Sequence, residues 1–306
     1  MKFYIVDAFA DTLFGGNPAG VVLLDEGTDF PDEKTMLLTA AELRYSETAF
    51  VKTCLDGGYH TRYFTPTNEV DLCGHATIAA FTVLGLEGKI KSGQACLNRT
   101  LAGDLWIHSS ENRVMMEMAS PQNLGEIQTA KALTELYGVL GLAVESVYAT
   151  DANGQSVVLL PAMISTGLPD IILPVSTADN LSKIKPDDEA LAVLSEKYGV
   201  VGVHAFALAS QNDQPAAGVH VTAYCRNFAP LYGIPEEAAT GTSNGALTYY
   251  LYLHGLMMSG DRASFVQGRE MNRTSRIESI LEIKDAAPSI QVGGTGVILA
   301  KGEIFI

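Results

Sequence analysis

No stretch of the 306 residues approaches the ~18–20 consecutive apolar positions that span a bilayer, so a membrane is not expected as a partner. Cysteine is scarce. Cys54, Cys73, Cys96 and Cys225 have no C-x-x-C spacing, which excludes a zinc knuckle or a disulfide framework as expectations. The histidines are as poorly placed for a metal. His60, His108, His204, His220 and His254 are scattered without ligand spacing and read as structural. Positive charge is short as well: 20 Lys and Arg face 35 Asp and Glu, a formal net charge of -15. That balance repels phosphate backbones and argues against nucleic acid. No Walker motif or Gly-x-Gly-x-x-Gly fingerprint is present, so nucleotide cofactors are not expected, and neither is a hydrolase-type nucleophile elbow.

What remains is an ordinary globular composition, 47% hydrophobic and 18% charged, too apolar for disorder. The length suits two domains. Met1 to Asp7 reads as a first β-strand, with Asp7 and Asp11 interrupting any signal-like core, so a cytoplasmic protein is expected. Helical periodicity covers Pro31 to Leu43, about Ala130 to Tyr137 and Asp187 to Tyr198. Short strands fall at Glu47 to Thr53, Gly58 to Phe64, Ala95 to Leu97, Asp104 to His108 and Arg113 to Met118. Later strands fall at Val144 to Ala149, Ser156 to Pro161, Val203 to Ala209 and Val219 to Cys225. The tail is β-like over Ile290 to Val292, Val297 to Ala300 and Glu303 to Ile306. Ser120-Pro121-Gln122-Asn123 reads as a boundary between lobes.

Two small-residue turns stand out, each opening an apolar helix. They are Cys73-Gly74-His75-Ala76-Thr77 and Ala239-Thr240-Gly241-Thr242-Ser243. A helix start leaves backbone N–H groups without intrahelical acceptors, and the dipole favours an anion there. The helices that follow, about His75 to Leu86 and Ser243 to Leu256, are apolar on nearly every face and so must be enclosed by protein. The reading is an α+β fold. It has two lobes, each of strands wrapped around one buried helix, as a two-fold pseudo-repeat.

Glu47, in Ser46-Glu47-Thr48-Ala49-Phe50, would have a raised pKa in a half-buried strand and could move a proton; the plainer alternative is an exposed strand-edge carboxylate. His75, at a helix start, is expected to be held neutral by the dipole. Cys73 stands where a thiolate is activated, as a base or nucleophile, whereas Thr240 stands at the matching place of the second turn. Glu237 is a candidate for proton transfer or for an ammonium group. Glu236 reads as a solvated loop charge. Asn17 would bind a ligand or cap a turn.

Together these pieces resemble the phenazine-biosynthesis PhzF-like isomerase family. The resemblance rests on Phe14-Gly15-Gly16-Asn17-Pro18-Ala19, Ser46-Glu47-Thr48-Ala49-Phe50, Cys73-Gly74-His75-Ala76-Thr77, Gly233-Ile234-Pro235-Glu236-Glu237-Ala238-Ala239-Thr240-Gly241-Thr242 and Val292-Gly293-Gly294, in the family's order. It implies the diaminopimelate-epimerase-like fold. An N-terminal lobe of 1–119 would be completed by the last strand at about 298–306, a C-terminal lobe would cover 120–297, and the site would lie in the cleft. It implies a homodimer without metal or organic cofactor, acting on a small carboxylate-bearing substrate. Glu47 matches the family's acid/base, and Gly74 and His75 its substrate contacts. Asn17, Ser46, Cys73, Gly241 and Thr242 are the further substrate-binding candidates. Glu237 falls where the family usually has aspartate, and Thr242 where it usually has serine. The reaction implied is proton-transfer isomerisation. The alternatives are an amino-acid-type epimerase or racemase, and a binding protein on the same scaffold.

Overall fold

The computed structural model describes residues 1–110, 112–210 and 220–306. It divides into two compact units, Met1–Glu117 with Gly293–Ile306, and Met118–Val292.

The first unit contains β1 (Lys2–Ala8), β2 (Asn17–Leu23), α1 (Glu33–Leu43), β3 (Thr48–Thr53), β4 (Tyr59–Phe64), β5 (Glu69–Val70), α2 (Gly74–Leu86), β6 (Ala95–Thr100), β7 (Gly103–Ser110) and β8 (Arg113–Glu117). The second contains β9 (Gln122–Glu126), α3 (Ala130–Val139), β10 (Val147–Thr150), β11 (Ser156–Leu159), β12 (Ala162–Ser165), β13 (Pro169–Pro174), α4 (Ala178–Ser182), α5 (Asp188–Tyr198), β14 (Gly202–Leu208), β15 (Ala223–Ala229), β16 (Ile234–Glu237), α6 (Gly241–Leu253), β17 (Arg262–Gln267) and β18 (Ser275–Lys284). The last strand, β19 (Ala287–Glu303), leads back into the first unit.

In the first unit the pairings close a ring. β1 pairs with β2 and β19, β2 with β3, β3 with β4, β4 with β6, β6 with β7, β7 with β8, and β8 with β19. This is a closed β-barrel, and it encloses α2, which touches β1, β2, β3, β7 and β8. That position explains the helix's composition. Ile78, Ala79, Ala80, Phe81, Val83 and Leu84 are all buried around its circumference, so no face can be polar. In the second unit β9, β12, β13, β14, β15, β17 and β18 pair in that order. Here α6 packs on β12, β13, β14 and β18. The chain is thus a mixed α/β fold with few helices. Among the described residues no helix is long and apolar enough to cross a membrane.

Element ends differ from the sequence reading where local chemistry overrides periodicity. β3 begins at Thr48, so Glu47 lies just before the strand. α6 starts at Gly241 and stops at Leu253, because Gly255 takes a left-handed conformation (φ 68°) one residue past the His254 cap. The tail is one strand, and Ile304 to Ile306 lie beyond it. Val219 lies outside the described residues, and the strand assigned to its segment runs Ala223–Ala229.

Gly293 belongs to the barrel seam between β8 and β19. A Cβ there would stand 1.9 Å from the Val114 carbonyl oxygen and 2.7 Å from the Met115 Cα. Backbone cannot yield as a side-chain tip would. Gly293→Ala is therefore expected to destabilise the protein by about 1–3 kcal/mol, or more if the seam opens. Thermal melting checks this, and an unchanged midpoint would refute it.

Candidate active site

Most helices here are closed at their start by their own chain. The side chains of Asp32, Thr129, Thr177 and Asp187 accept from backbone N–H groups at the starts of α1, α3, α4 and α5. The two enclosed helices differ. Cys73 before α2 and Thr240 before α6 are extended and make no side-chain cap. Their first-turn amides lie where no intrahelical carbonyl can reach them, at the positive end of the dipole.

At the start of α2 the barrel gathers five of the residues singled out above. The His75 ring is buried. Its Nδ1 faces the Asn17 amide nitrogen at 3.2 Å and Cys73 Sγ at 3.4 Å. Its Nε2 faces Ser46 Oγ at 3.1 Å and Glu47 Oε2 at 3.1 Å. The ring nitrogen is aligned for a hydrogen bond with Ser46, while the Glu47 oxygen is near enough for an ion pair but lacks an aligned donor. Glu47 keeps 15% of its side chain exposed, His75 only 3%. Gly74 is the first residue of α2, beneath this group.

Electrostatics reverse three of the sequence-based expectations. Burial pushes the Glu47 carboxyl up, but the charge of His75, with the polar groups of Ser46 and Cys73 beside it, holds the group below its ordinary value. A raised value was expected. Burial pushes the His75 imidazole down, yet the Cys73 sulfur and the Glu47 carboxylate bring it well above its ordinary value, overriding the helix dipole that was expected to keep it neutral. Burial, then the charge of Glu47, pushes the Cys73 thiol up to about 11, so the thiol is neutral near pH 7. The helix start does not activate it. The directions for Glu47 and His75 both favour a carboxylate–imidazolium pair, beside a thiol held neutral.

In the second unit, Glu237 ends β16 opposite Asn227 of β15. Glu237 Oε2 accepts from the Thr240 hydroxyl at 2.8 Å. Gln267 braces the turn: its Nε2 donates to the Glu237 carbonyl at 2.7 Å and to Thr240 Oγ1 at 3.1 Å. Asn244 Nδ2 donates to the Thr240 carbonyl at 2.8 Å and to Gln267 Oε1 at 2.9 Å. Gly241 is the first residue of α6. The Thr242 carbonyl accepts from Thr166 Oγ1 at 2.9 Å.

The sequence reading missed this bracing. It also missed the letters Gly241-Thr242-Ser243-Asn244-Gly245, which do spell Gly-x-Ser-x-Gly. Ser243 is nonetheless no nucleophile. It is fully buried within the first turn of α6, donates to Asp170 Oδ2 at 2.5 Å and accepts from Asn227 Nδ2 at 3.1 Å. His204 behind it is pushed down to about 3 by burial, so it stays neutral and structural. Glu236 is not a solvated charge either: it grips Arg226 with both oxygens, at 2.8 Å each.

Comparison with known proteins identifies the family. The profile of the phenazine biosynthesis-like proteins (PhzC-PhzF) matches residues 6–302. A Deinococcus radiodurans protein designated an uncharacterized isomerase is 36% identical over 98% of this chain and 94% of its own length. The trans-2,3-dihydro-3-hydroxyanthranilate isomerase of Pseudomonas fluorescens is 27% identical over 100% and 99%. Among solved structures, the Bacillus anthracis phenazine biosynthesis protein of the PhzF family superposes with a TM-score of 0.83 at 26% identity, covering 100% of this chain and 99% of that one. The chain belongs to the phenazine biosynthesis-like (PhzC-PhzF) family, and it is an isomerase.

Proposed function

We propose that the protein moves a proton between two positions of a small carboxylate-bearing substrate without a cofactor, with Glu47 as the acid/base. The observation that carries this is the largely buried carboxylate of Glu47 3.1 Å from the His75 imidazole nitrogen, at the uncapped start of α2. Held ionised, Glu47 can take a proton from an activated C–H, becoming a neutral acid while the substrate becomes a delocalised anion. It then returns the proton to another carbon. His75, Ser46 and Asn17 orient the pair, and the amides of Gly74 and its neighbours attract negative charge on the substrate.

For the second unit we propose, separately, that the amides around Gly241 and Thr242 take an anionic group, and that Glu237 orients a polar one through its bond to Thr240. Support comes from the same uncapped helix start and from the Gln267–Asn244 bracing. We also propose that the two units descend from one repeated plan. Read from β19 in the first and β9 in the second, both run antiparallel, antiparallel, parallel, antiparallel, parallel, antiparallel, and each surrounds an apolar helix.

The substrate class is tested by proton NMR in D₂O against a panel of small carboxylates: the dihydro-hydroxyanthranilate, amino acids and hydroxy acids. Deuterium entering a carbon position with movement of a double bond is the expected result. Exchange at an α-carbon with loss of stereochemistry alone would replace this reading with an epimerase.

A further inference from the structure

One buried carboxyl has no part in the proton transfer proposed above, and it lies against the start of α6. Asp170, on β13, is 2% exposed. Its Oδ2 accepts from Ser243 Oγ at 2.5 Å, and Ser243 accepts in turn from Asn227 Nδ2 at 3.1 Å. Its Oδ1 is buried and meets no hydrogen-bond donor. An ionised carboxylate accepts on both oxygens and is strongly disfavoured in a protein interior when one of them is bare. A neutral acid with its proton on Oδ1 fits. The surroundings supply no countercharge. Ile164 of β12 and Gly202 of β14 flank Asp170 in the sheet. α6 carries no Asp, Glu, Lys or Arg from Gly241 to Leu253. His204 of β14 meets Asn227 Nδ2 at 3.3 Å and is held neutral by burial, with its Nε2 also unpartnered. Arg226, beside Asn227 on β15, is engaged by Glu236 and by the carbonyls of Leu181 and Ile184. Glu237 of β16 is bonded to the Thr240 hydroxyl at the opening of the helix. Burial pushes the Asp170 carboxyl up to about 6, against the bonds from Ser243 and the Gly202 amide.

We propose that Asp170 is a positioning residue that ties anion binding at the start of α6 to the uptake of one proton. This rests on the anion role proposed above for the amides around Gly241 and Thr242. Ser243 lies two residues past Gly241, about 3 Å along the helix axis, so Asp170 and an anion on those amides share one end of one helix. An ionised Asp170 draws on the same positive end of the dipole and repels the incoming charge where little water screens it. The neutral acid does neither, and it still holds the Ser243 hydroxyl. An arriving anion therefore drives Asp170 to take a proton from solvent. One O–H bond forms, at Oδ1, and the proton offsets one charge of the anion.

Sodium sulfate is the probe, because sulfate does not itself titrate near neutral pH. Calorimetric titration of the full-length protein, at constant ionic strength and in two buffers of different ionisation enthalpy, counts the protons taken up. Uptake approaching one proton per sulfate is expected at about pH 7, and close to none at about pH 5. With the carboxyl at about 6, wild-type affinity should fall about tenfold between those two conditions. Asp170→Asn keeps an acceptor for Ser243 but carries no charge. It should bind sulfate about tenfold more tightly than wild type at about pH 7 and lose the proton uptake. Glu237→Gln, which alters the other carboxylate at this turn, should keep the uptake. Stability gives a reading without any anion. The contribution of Asp170 is whole below its ordinary 3.8 and is lost as pH rises through about 6, so Asp170→Asn should melt above wild type at higher pH. Sulfate binding without proton uptake, or uptake that persists in Asp170→Asn, would overturn the coupling and leave the anion role of the amides standing. No sulfate binding by wild type at either pH would overturn both. The wild-type proton count needs no variant, so the test stays decisive if Asp170→Asn folds poorly.

Discussion

Glu47→Gln is expected to lower deuterium exchange by about 10²–10⁴-fold, the range general acid–base groups supply, without loss of the fold. The amide matches the carboxylate in size but cannot accept a proton from carbon. Glu47 lies outside the strand ladder except through its carbonyl, which accepts from the Gly20 amide at 3.2 Å and does not depend on the side chain. The same substitution also alters the response to pH. Glu47 sits below its ordinary value of 4.5, so its contribution to stability is present above 4.5 and is lost as pH falls through the lowered value. His75 sits well above 6.5, so its contribution is whole below 6.5 and is lost as pH rises through the raised value. The pair therefore helps the fold most between about 4.5 and 6.5, and the wild-type advantage in thermal midpoint over Glu47→Gln should be greatest there. Near-full exchange by Glu47→Gln would remove the carboxylate from the chemistry. Cys73→Ala is the counterpart: with the thiol held at about 11 it should leave exchange largely intact, and a collapse would transfer the base role to sulfur.

The features legible in the sequence were those set by short-range pattern. Both enclosed helices declared themselves because burial on nearly every side leaves no position for an Asp, Glu, Lys or Arg, and their uncapped starts follow from the turns that open them. Asn17, Ser46, Glu47, Cys73 and His75 were each visible as candidates, but only the closed barrel shows them in contact. Glu47 arrives from the start of β3, 28 residues before His75, and no spacing rule links the two. The charge states were not legible. A helix dipole and burial act on each group alone, whereas the outcome depends on a carboxylate and an imidazole 3.1 Å apart. β12 and β13 escaped notice because they are short, and Pro169 and Pro174 bound the second of them. β18 should have been seen. Its residues alternate between buried and half-exposed from Ser275 to Leu281, the period of a half-buried strand. The bracing by Asp170, Asn227 and Gln267 had no sequence signal, since each comes from a different strand of the second unit.

Glu236→Ala is expected to destabilise the protein by about 3–5 kcal/mol, the largest stability effect among these substitutions, because it strands a buried cation. The Arg226 side chain is 7% exposed and that of Glu236 17%. Both guanidinium–carboxylate bonds are 2.8 Å, in the paired geometry that arginine makes best. The guanidinium also donates from Nη1 to the carbonyls of Leu181 at 3.2 Å and Ile184 at 2.9 Å, and lies over the Phe228 ring at 4.9 Å. Those contacts fix the arginine in place, so it cannot swing into solvent when its partner is removed. The charge then stays buried with neutral acceptors only. Glu236→Gln keeps the shape and an acceptor, and should cost less than the alanine. The double substitution Arg226→Met with Glu236→Leu removes both charges and should recover part of the loss. Denaturant unfolding of the three variants checks the order alanine, then glutamine, then the double. Equal stability of Glu236→Ala and wild type would mean that the arginine finds water. The consequence reaches the neighbouring residue, because β16 carries Glu236 and Glu237 side by side. With the role proposed above for Glu237, Glu236→Ala is expected to reduce substrate affinity as well as stability.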